Sequence, residues 1–265
     1  MKKIMTYIIL LFAAFIFLFP FVWTLISITN ESNDILQGKL TLGSHMTDNF
    51  YNLFVGTNFI RCILNTFFIT IVLVVVSVFI SSLTAYGFEF LAPSKYEKLY
   101  NLMILTLMVP FAALMIPLFK LVAHMGLMDS YMGIMITGFF SVFLLFFFRQ
   151  SMKKFPFELI EAARIDGLKE FWIFIKIFMP SMKSSYITAI IVSFMGSWNS
   201  YLWPLVVTQD PNKRTVQLFL SNVNSAQVID YGVLVLGVVI STIPTIILFA
   251  VLQKYFVAGM IGSGK

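Results

Sequence analysis

Six stretches of this chain contain no Asp, Glu, Lys or Arg: residues 4–30, 62–88, 99–119, 130–148, 184–209 and 231–253. Each is close to the ~20 residues that a helix needs to cross ~30 Å of hydrocarbon. Lipid offers no hydrogen-bond partners, so the backbone there has to satisfy its own N–H and C=O groups, and isolated runs do so as helices. The shortest run, 130–148, ends in Phe-Leu-Leu-Phe-Phe-Phe, which favours a span despite its length. The expected fold class is an all-α membrane protein with six transmembrane helices, residues 1–265 forming a single transmembrane domain.

Composition points the same way. Of 265 residues, 59% are hydrophobic and 11% charged, where a soluble domain carries about a quarter charged. The net charge of +6 does not indicate nucleic acid, because the basic residues sit beside hydrophobic runs instead of along one polar face. With the amino terminus inside, only Lys39, Arg61, Lys120, Lys213 and Arg214 lie outside, and the other thirteen of 18 Lys and Arg lie inside. The positive-inside rule then puts both termini in the cytoplasm. Lys2 and Lys3 before the first run resemble a signal peptide, but the run is too long and no small-residue cleavage site follows, so it is expected to stay. Cys62 is the sole cysteine, and His45 and His124 stand apart, so neither a disulfide nor a metal site is expected.

None of the six runs holds Asp, Glu, His, Lys or Arg. Proton-coupled carriers and voltage sensors place such groups in the membrane because moving charge is how they work. A sodium-coupled carrier can use carbonyls and hydroxyls instead, so that class stays open. Neutral polarity gathers in the fifth run, at Ser193, Ser197, Trp198, Asn199, Ser200 and Tyr201. Flat rings beside neutral donors suit an uncharged polyhydroxylated solute, which makes Trp198, Asn199 and Tyr201 candidates to line a solute path. The alternative is helix-to-helix hydrogen bonding and an interfacial aromatic belt. At ~1.5 Å per residue from Ser184, Trp198 lies about 21 Å deep and Trp203 about 28 Å, where it is expected as an outer-interface anchor.

The inner segment 149–183 has a pattern of its own. Pro156 can open a helix, Glu158 and Glu161 suit its positive end, and Gly167 can supply the left-handed residue that stops it. A second short helix is expected from about Lys169, with Pro180 at the entry to the fifth span. This is a helix–Gly–helix elbow on the cytoplasmic side, between helices 4 and 5. Ala162 and Ala163 permit close approach to a groove. For the second helix, Phe171, Trp172, Ile175 and Phe178 equally suit a position on lipid headgroups.

Glu161-Ala162-Ala163, three residues, Gly167, nine residues, then Ile177-Phe178-Met179-Pro180 resembles the EAA signature of ABC importer permeases, with Met179 where Leu is usual. Leu18-Phe19-Pro20-Phe21, Ile116-Pro117-Leu118, Gly126-Leu127 and Trp198-Asn199-Ser200-Tyr201-Leu202-Trp203-Pro204-Leu205 extend the likeness to the maltose-type carbohydrate permeases. The resemblance implies a multi-pass subunit of the bacterial cytoplasmic membrane that is not itself an enzyme. Its implied partners are a second, related permease, a cytoplasmic ATPase dimer and an extracytoplasmic solute-binding protein, within membrane lipid and with no role for nucleic acid. ATP and magnesium then belong to the ATPase, and this chain carries no cofactor. The elbow is implied to be a coupling helix docked in a cleft of the ATPase. Glu161 would pair with a basic residue there, Ala162 and Ala163 would pack into the cleft, Asp166 would add charge, and Gly167 would form the bend.

Residues 259–265, Gly-Met-Ile-Gly-Ser-Gly-Lys, mimic part of a P-loop. That motif needs a strand before it, a helix after it and a Ser or Thr for magnesium. A glycine-rich cytoplasmic tail is the expectation. An intramembrane enzyme is disfavoured because no span offers a His or Asp base.

Overall fold

The computed structural model describes residues 2–91, 95–224 and 229–261, and all regular structure among them is helical. Helices α1 (Lys2–Ser27), α2 (Ser32–Leu36) and α3 (Met46–Phe54) precede α4 (Phe59–Tyr86), which runs on through a π-helical turn at Gly87–Leu91. α5 (Glu97–Leu105) ends in a 3-10 turn, Thr106–Met108, before α6 (Phe111–His124). α7 (Tyr131–Met135), a 3-10 turn at Ile136–Gly138 and α8 (Val142–Met152) come next. α9 (Glu158–Ile165), α10 (Glu170–Ile173), a second π turn at Phe174–Phe178 and α11 (Met179–Ser181) lead to α12 (Lys183–Trp198). The rest is α13 (Leu202–Val207), a 3-10 turn at Pro211–Lys213, α14 (Val216–Asn224) and α15 (Tyr231–Ile261). The last four residues of the glycine-rich tail, 262–265, lie outside the described residues.

Among the described residues, four helical segments are long and apolar enough to cross a membrane: Lys3–Ser27, Phe59–Leu91, Tyr131–Met152 and Tyr231–Gln253. Two pairs qualify only together, Glu97–Met108 with Phe111–His124, bent by 105°, and Glu170–Ser181 with Lys183–Trp198, bent by 84°. The uncharged run 99–119 is therefore not one rod. Pro110 sits in extended backbone as the N-cap of α6. Its ring disfavours helical backbone at Val109, which is also extended, and it has no N–H to continue α5. The run 184–209 is likewise two helices, α12 and α13, separated at residues 199–201. Asn199 Nδ2 donates to Met195 O at 2.9 Å, and Pro204 cannot donate to the carbonyl of Ser200.

The chain packs as two compact units. The first comprises Met1–Leu64 and Arg214–Pro244. In it Asn49 of α3, nearly buried, donates from Nδ2 to Ile28 O and Asn30 O, both at 3.0 Å. One amide thus pins the turn after α1. The N–H of Tyr231 donates to Ser32 Oγ at 3.0 Å, fixing the start of α15, and Phe59 packs between Phe54 and Phe219.

The second unit comprises Asn65–Lys213 and Thr245–Lys265. Apolar cores among its described residues hold it together. One gathers Tyr86, Phe148, Phe155, Ile160, Ala163, Phe174, Phe178 and Tyr186; another joins Ile69, Val122, Ile134, Met135, Trp203 and Val207. Hydroxyls tie α12 to α4, with Ser77 and Ser193 hydrogen-bonded at 3.2 Å and Ser197 Oγ donating to Thr70 Oγ1 at 3.4 Å. Small hydroxylated residues allow the close helix approach on which packing in lipid depends.

Candidate functional site

The segment from α9 to α10 has the helix–Gly–helix form. Glu158 and Glu161 occupy the first turn of α9, where the exposed N–H groups and the helix dipole favour negative charge. Gly167 has a φ of +80°. Its N–H donates to Arg164 O and that of Leu168 to Ala163 O, each at 3.0 Å, which is the paired-bond Schellman closure of a helix end.

The two faces of α9 differ. Ile160 and Ala163 are buried in the core of the unit. Glu158, Glu161, Ala162 and Ile165 are exposed, and their spacing puts them on one stripe of the helix. Asp166 and Gly167 are also exposed. The five residues singled out in the sequence therefore divide: Glu161, Ala162, Asp166 and Gly167 face outward, and Ala163 packs against its own chain. Ile165, 85% exposed, was missed. Its signal was its position, one turn after Glu161 and Ala162, in an otherwise charged and small-residue stripe.

Arg164 turns inward. Its Nε donates to Glu170 Oε1 at 2.6 Å and its Nη2 to Phe90 O at 3.2 Å. The hydroxyl of Tyr86 donates to Glu170 Oε2 at 2.9 Å. Beneath these contacts Tyr86 and Phe90 pack on Phe178, with ring centroids 5.3 and 6.0 Å away, and Phe90 stacks on Phe157. A second charged cluster lies nearby in sequence. Arg149, nearly buried, donates to Glu89 Oε2 at 2.9 Å and Glu97 Oε2 at 2.6 Å, with its guanidinium 3.9 Å from the centroid of the Tyr100 ring. Neither cluster is legible in sequence, because the partners are 52 to 84 residues apart apart from Arg164 and Glu170.

At the far end of α12 the three candidate solute-path residues are placed differently from one another. Trp198 is buried, edge-on to Phe67 with centroids 4.7 Å apart and stacked on Phe194 at 5.5 Å. Asn199 is exposed and Tyr201 half-buried. Trp203 was expected to be an interface anchor and is instead buried, its Nε1 donating to Gly133 O at 3.1 Å. Gly133 itself lies hard against the turn after α6, where a Cβ would overlap the carbonyl of Leu127.

Beside this end lies Asp129, which has a φ of 51°. Its Oδ1 accepts the N–H groups of Gln209 and Asp210, and its carbonyl accepts Lys213 Nζ at 2.6 Å. The Asp210 and Gln209 amides hold the Asp129 carboxyl below the ordinary aspartate range. This clamp fixes the turn after α6 against the segment that follows α13.

Residues 93–262 match the family model described as the inner membrane component of binding-protein-dependent transport systems. The chain is 42% identical to the lactose transport system permease protein of Rhizobium radiobacter, over 100% of this chain and 97% of that one. It is 33% identical to the arabinooligosaccharides transport system permease protein of Bacillus subtilis, covering 94% and 90% respectively. Its fold is similar to a chain in the crystal structure of a bacterial ABC transporter involved in the import of the acidic polysaccharide alginate. That match has a TM-score of 0.85 and 24% identity, over 96% of both chains.

Proposed function

Because this chain belongs to the family of inner membrane components of binding-protein-dependent transport systems, we propose that it is the membrane-spanning permease subunit of an ATP-driven importer for a sugar or oligosaccharide. It is a multi-pass protein of the bacterial inner membrane and a transport subunit, not an enzyme. ATP is hydrolysed by a separate ATPase. The solute reaches it from an extracytoplasmic binding protein, and a second, related permease completes the path. In this reading residues 1–265 work as one permease domain. Counting each bent pair as a single crossing gives six spans, with both termini in the cytoplasm, as the distribution of Lys and Arg favours.

The observation that carries the mechanism is the outward stripe of α9. Glu161, Ala162 and Ile165 present a carboxylate, a small side chain and an exposed aliphatic group on a helix closed by Gly167. That combination suits a cleft lined by apolar side chains with a basic residue at its edge. In this reading the ATPase holds the stripe, and ATP-driven closure moves the elbow. Ala163 contributes from the other side, letting α9 lie close to the body of its own unit. In this reading Asn199 and Tyr201 meet solute at the other end, supported by the exposure of Asn199, and Trp198 backs them from within the core.

The test is Glu161→Lys in the importer, reconstituted with its ATPase, partner permease and binding protein. Losing one charge-assisted bond removes about 1.5–3 kcal/mol, which predicts a roughly tenfold or greater fall in ATP-driven uptake with the subunit still folded in the membrane. Uptake and ATPase co-purification at unsubstituted levels would rule out the docking role.

A further inference from the structure

We infer that Arg164, Glu170 and Tyr86 form a strap that makes the end of α4 follow the elbow, and that Arg149 with Glu89 and Glu97 carries the same movement into α8 and α5. The inference rests on the reading of α9 as the segment pushed by the ATPase.

The strap begins on the inner side of α9. Arg164 follows Ala163 and is not part of the outward stripe. Its guanidinium spans the Gly167 turn to Glu170, tying α9 to α10, and also reaches the carbonyl of Phe90. Phe90 belongs to the last turn of the 33-residue helical run Phe59–Leu91. Carbonyls in a last turn have no partner within their helix, and the negative end of the dipole favours a cation there. Arg164 therefore occupies a position that the end of α4 makes favourable. Glu170 uses its other oxygen to accept the Tyr86 hydroxyl from the same run. Two hydrogen bonds thus link the elbow to the end of α4, and a third, from Arg164 to Glu170, braces the elbow itself.

Apolar contact alone would not transmit a direction. Phe90, Phe155, Phe157, Phe174 and Phe178 pack around the same place, but hydrophobic attraction is non-directional. Charge-assisted bonds at 2.6 to 2.9 Å set position and angle. The two π turns found among the described residues, Gly87–Leu91 and Phe174–Phe178, both lie at this junction. Such turns often mark functional positions in helices. The Gly87–Leu91 turn also carries Glu89, whose bond to Arg149 links it to α8, and Arg149 reaches on to Glu97 at the start of α5. Moving the elbow without α4 would break the Arg164–Phe90 and Tyr86–Glu170 hydrogen bonds, moving α4 without α8 the Arg149–Glu89 pair, and moving α8 without α5 the Arg149–Glu97 pair.

The experiment measures distances by electron spin resonance in the full importer, with labels at Lys169→Cys and Lys98→Cys in a Cys62→Ala background. Both label sites are exposed and outside the strap. With the strap intact, the distance between them holds one narrow distribution with and without ATP, because elbow and α5 move together. Glu170→Gln or Tyr86→Phe is expected to broaden the distribution and shift it by several ångströms on adding ATP, while the ATPase still co-purifies. A distance that changes with ATP in the unsubstituted strap overturns the proposal, as does a Tyr86→Phe variant indistinguishable from it. Tyr86→Phe deletes only a hydroxyl, so it decides the matter if Glu170→Gln assembles poorly. Failure of the underlying reading has a separate signature, an ATPase that stays bound and active with Glu161→Lys.

Discussion

Gly167 combines an open surface with a restricted backbone. Nothing lies within 4 Å of where its Cβ would be, yet its φ is +80°. The obstacle to another residue is conformational. Left-handed backbone costs an L-residue about 1–2 kcal/mol, and a β-branched side chain is worse placed still. Gly167→Val should therefore destabilise the closure of α9 by at least about that amount and impair uptake, while Gly167→Asn, which tolerates this region, should be milder. Limited proteolysis of the 158–173 segment, together with uptake, checks this; Val as active and as protected as Gly would show that the turn is not required. Gly167 was legible because spacing and charge marked a helix before it. The inward turn of Ala163 and Arg164 was not, because which face of an eight-residue helix is buried depends on neighbours such as Phe90 that are distant in sequence.

At the scale of elements, uncharged length located the helices, and local chemistry broke them. Pro110 and Pro204 each lack the N–H that would carry the preceding helix on. The bend at Met182 carries a similar sign: Pro180, at the entry to the fifth span, lies two residues before Met182, the non-helical N-cap of α12. Trp203 was not legible in this way. Counting depth along a continuous helix put it at an interface, but the break at residues 199–201 re-aims α13 and buries the ring against α7. Gly133, whose carbonyl accepts the Trp203 N–H, lies so close to Leu127 that the position of α7 depends on a missing methyl. Gly133→Ala would push α7 off Leu127 and weaken the Trp203 bond, an overpacking cost of about 1–3 kcal/mol. Gly196 supplies the control, since a Cβ there meets nothing within 4 Å and Ala favours a helix interior. In detergent, Gly133→Ala should lower the thermal midpoint and Gly196→Ala should leave it unchanged or raise it. Equal midpoints for both would show that α7 yields freely.

For the whole molecule, the energy source follows from where charge is absent. The six uncharged runs carry no Asp, Glu, His, Lys or Arg to take up or release a proton, and ion pairs such as Arg149–Glu89, Arg164–Glu170 and Lys39–Asp34 lie outside them. Moving one charge through 100 mV yields about 2.3 kcal/mol, but only a chain that carries that charge across can use it. A sodium ion held by carbonyls and hydroxyls is the one gradient-driven route that this composition leaves open. The purified chain in liposomes should therefore accumulate no more of the labelled sugar that its binding protein delivers than empty liposomes do under a sodium gradient or a proton gradient. The same chain joined by its partner permease, ATPase and binding protein should take up its sugar only when ATP is supplied on the ATPase side. Accumulation by the lone chain under either gradient would contradict the ATP-driven reading and leave α9 without a driving partner.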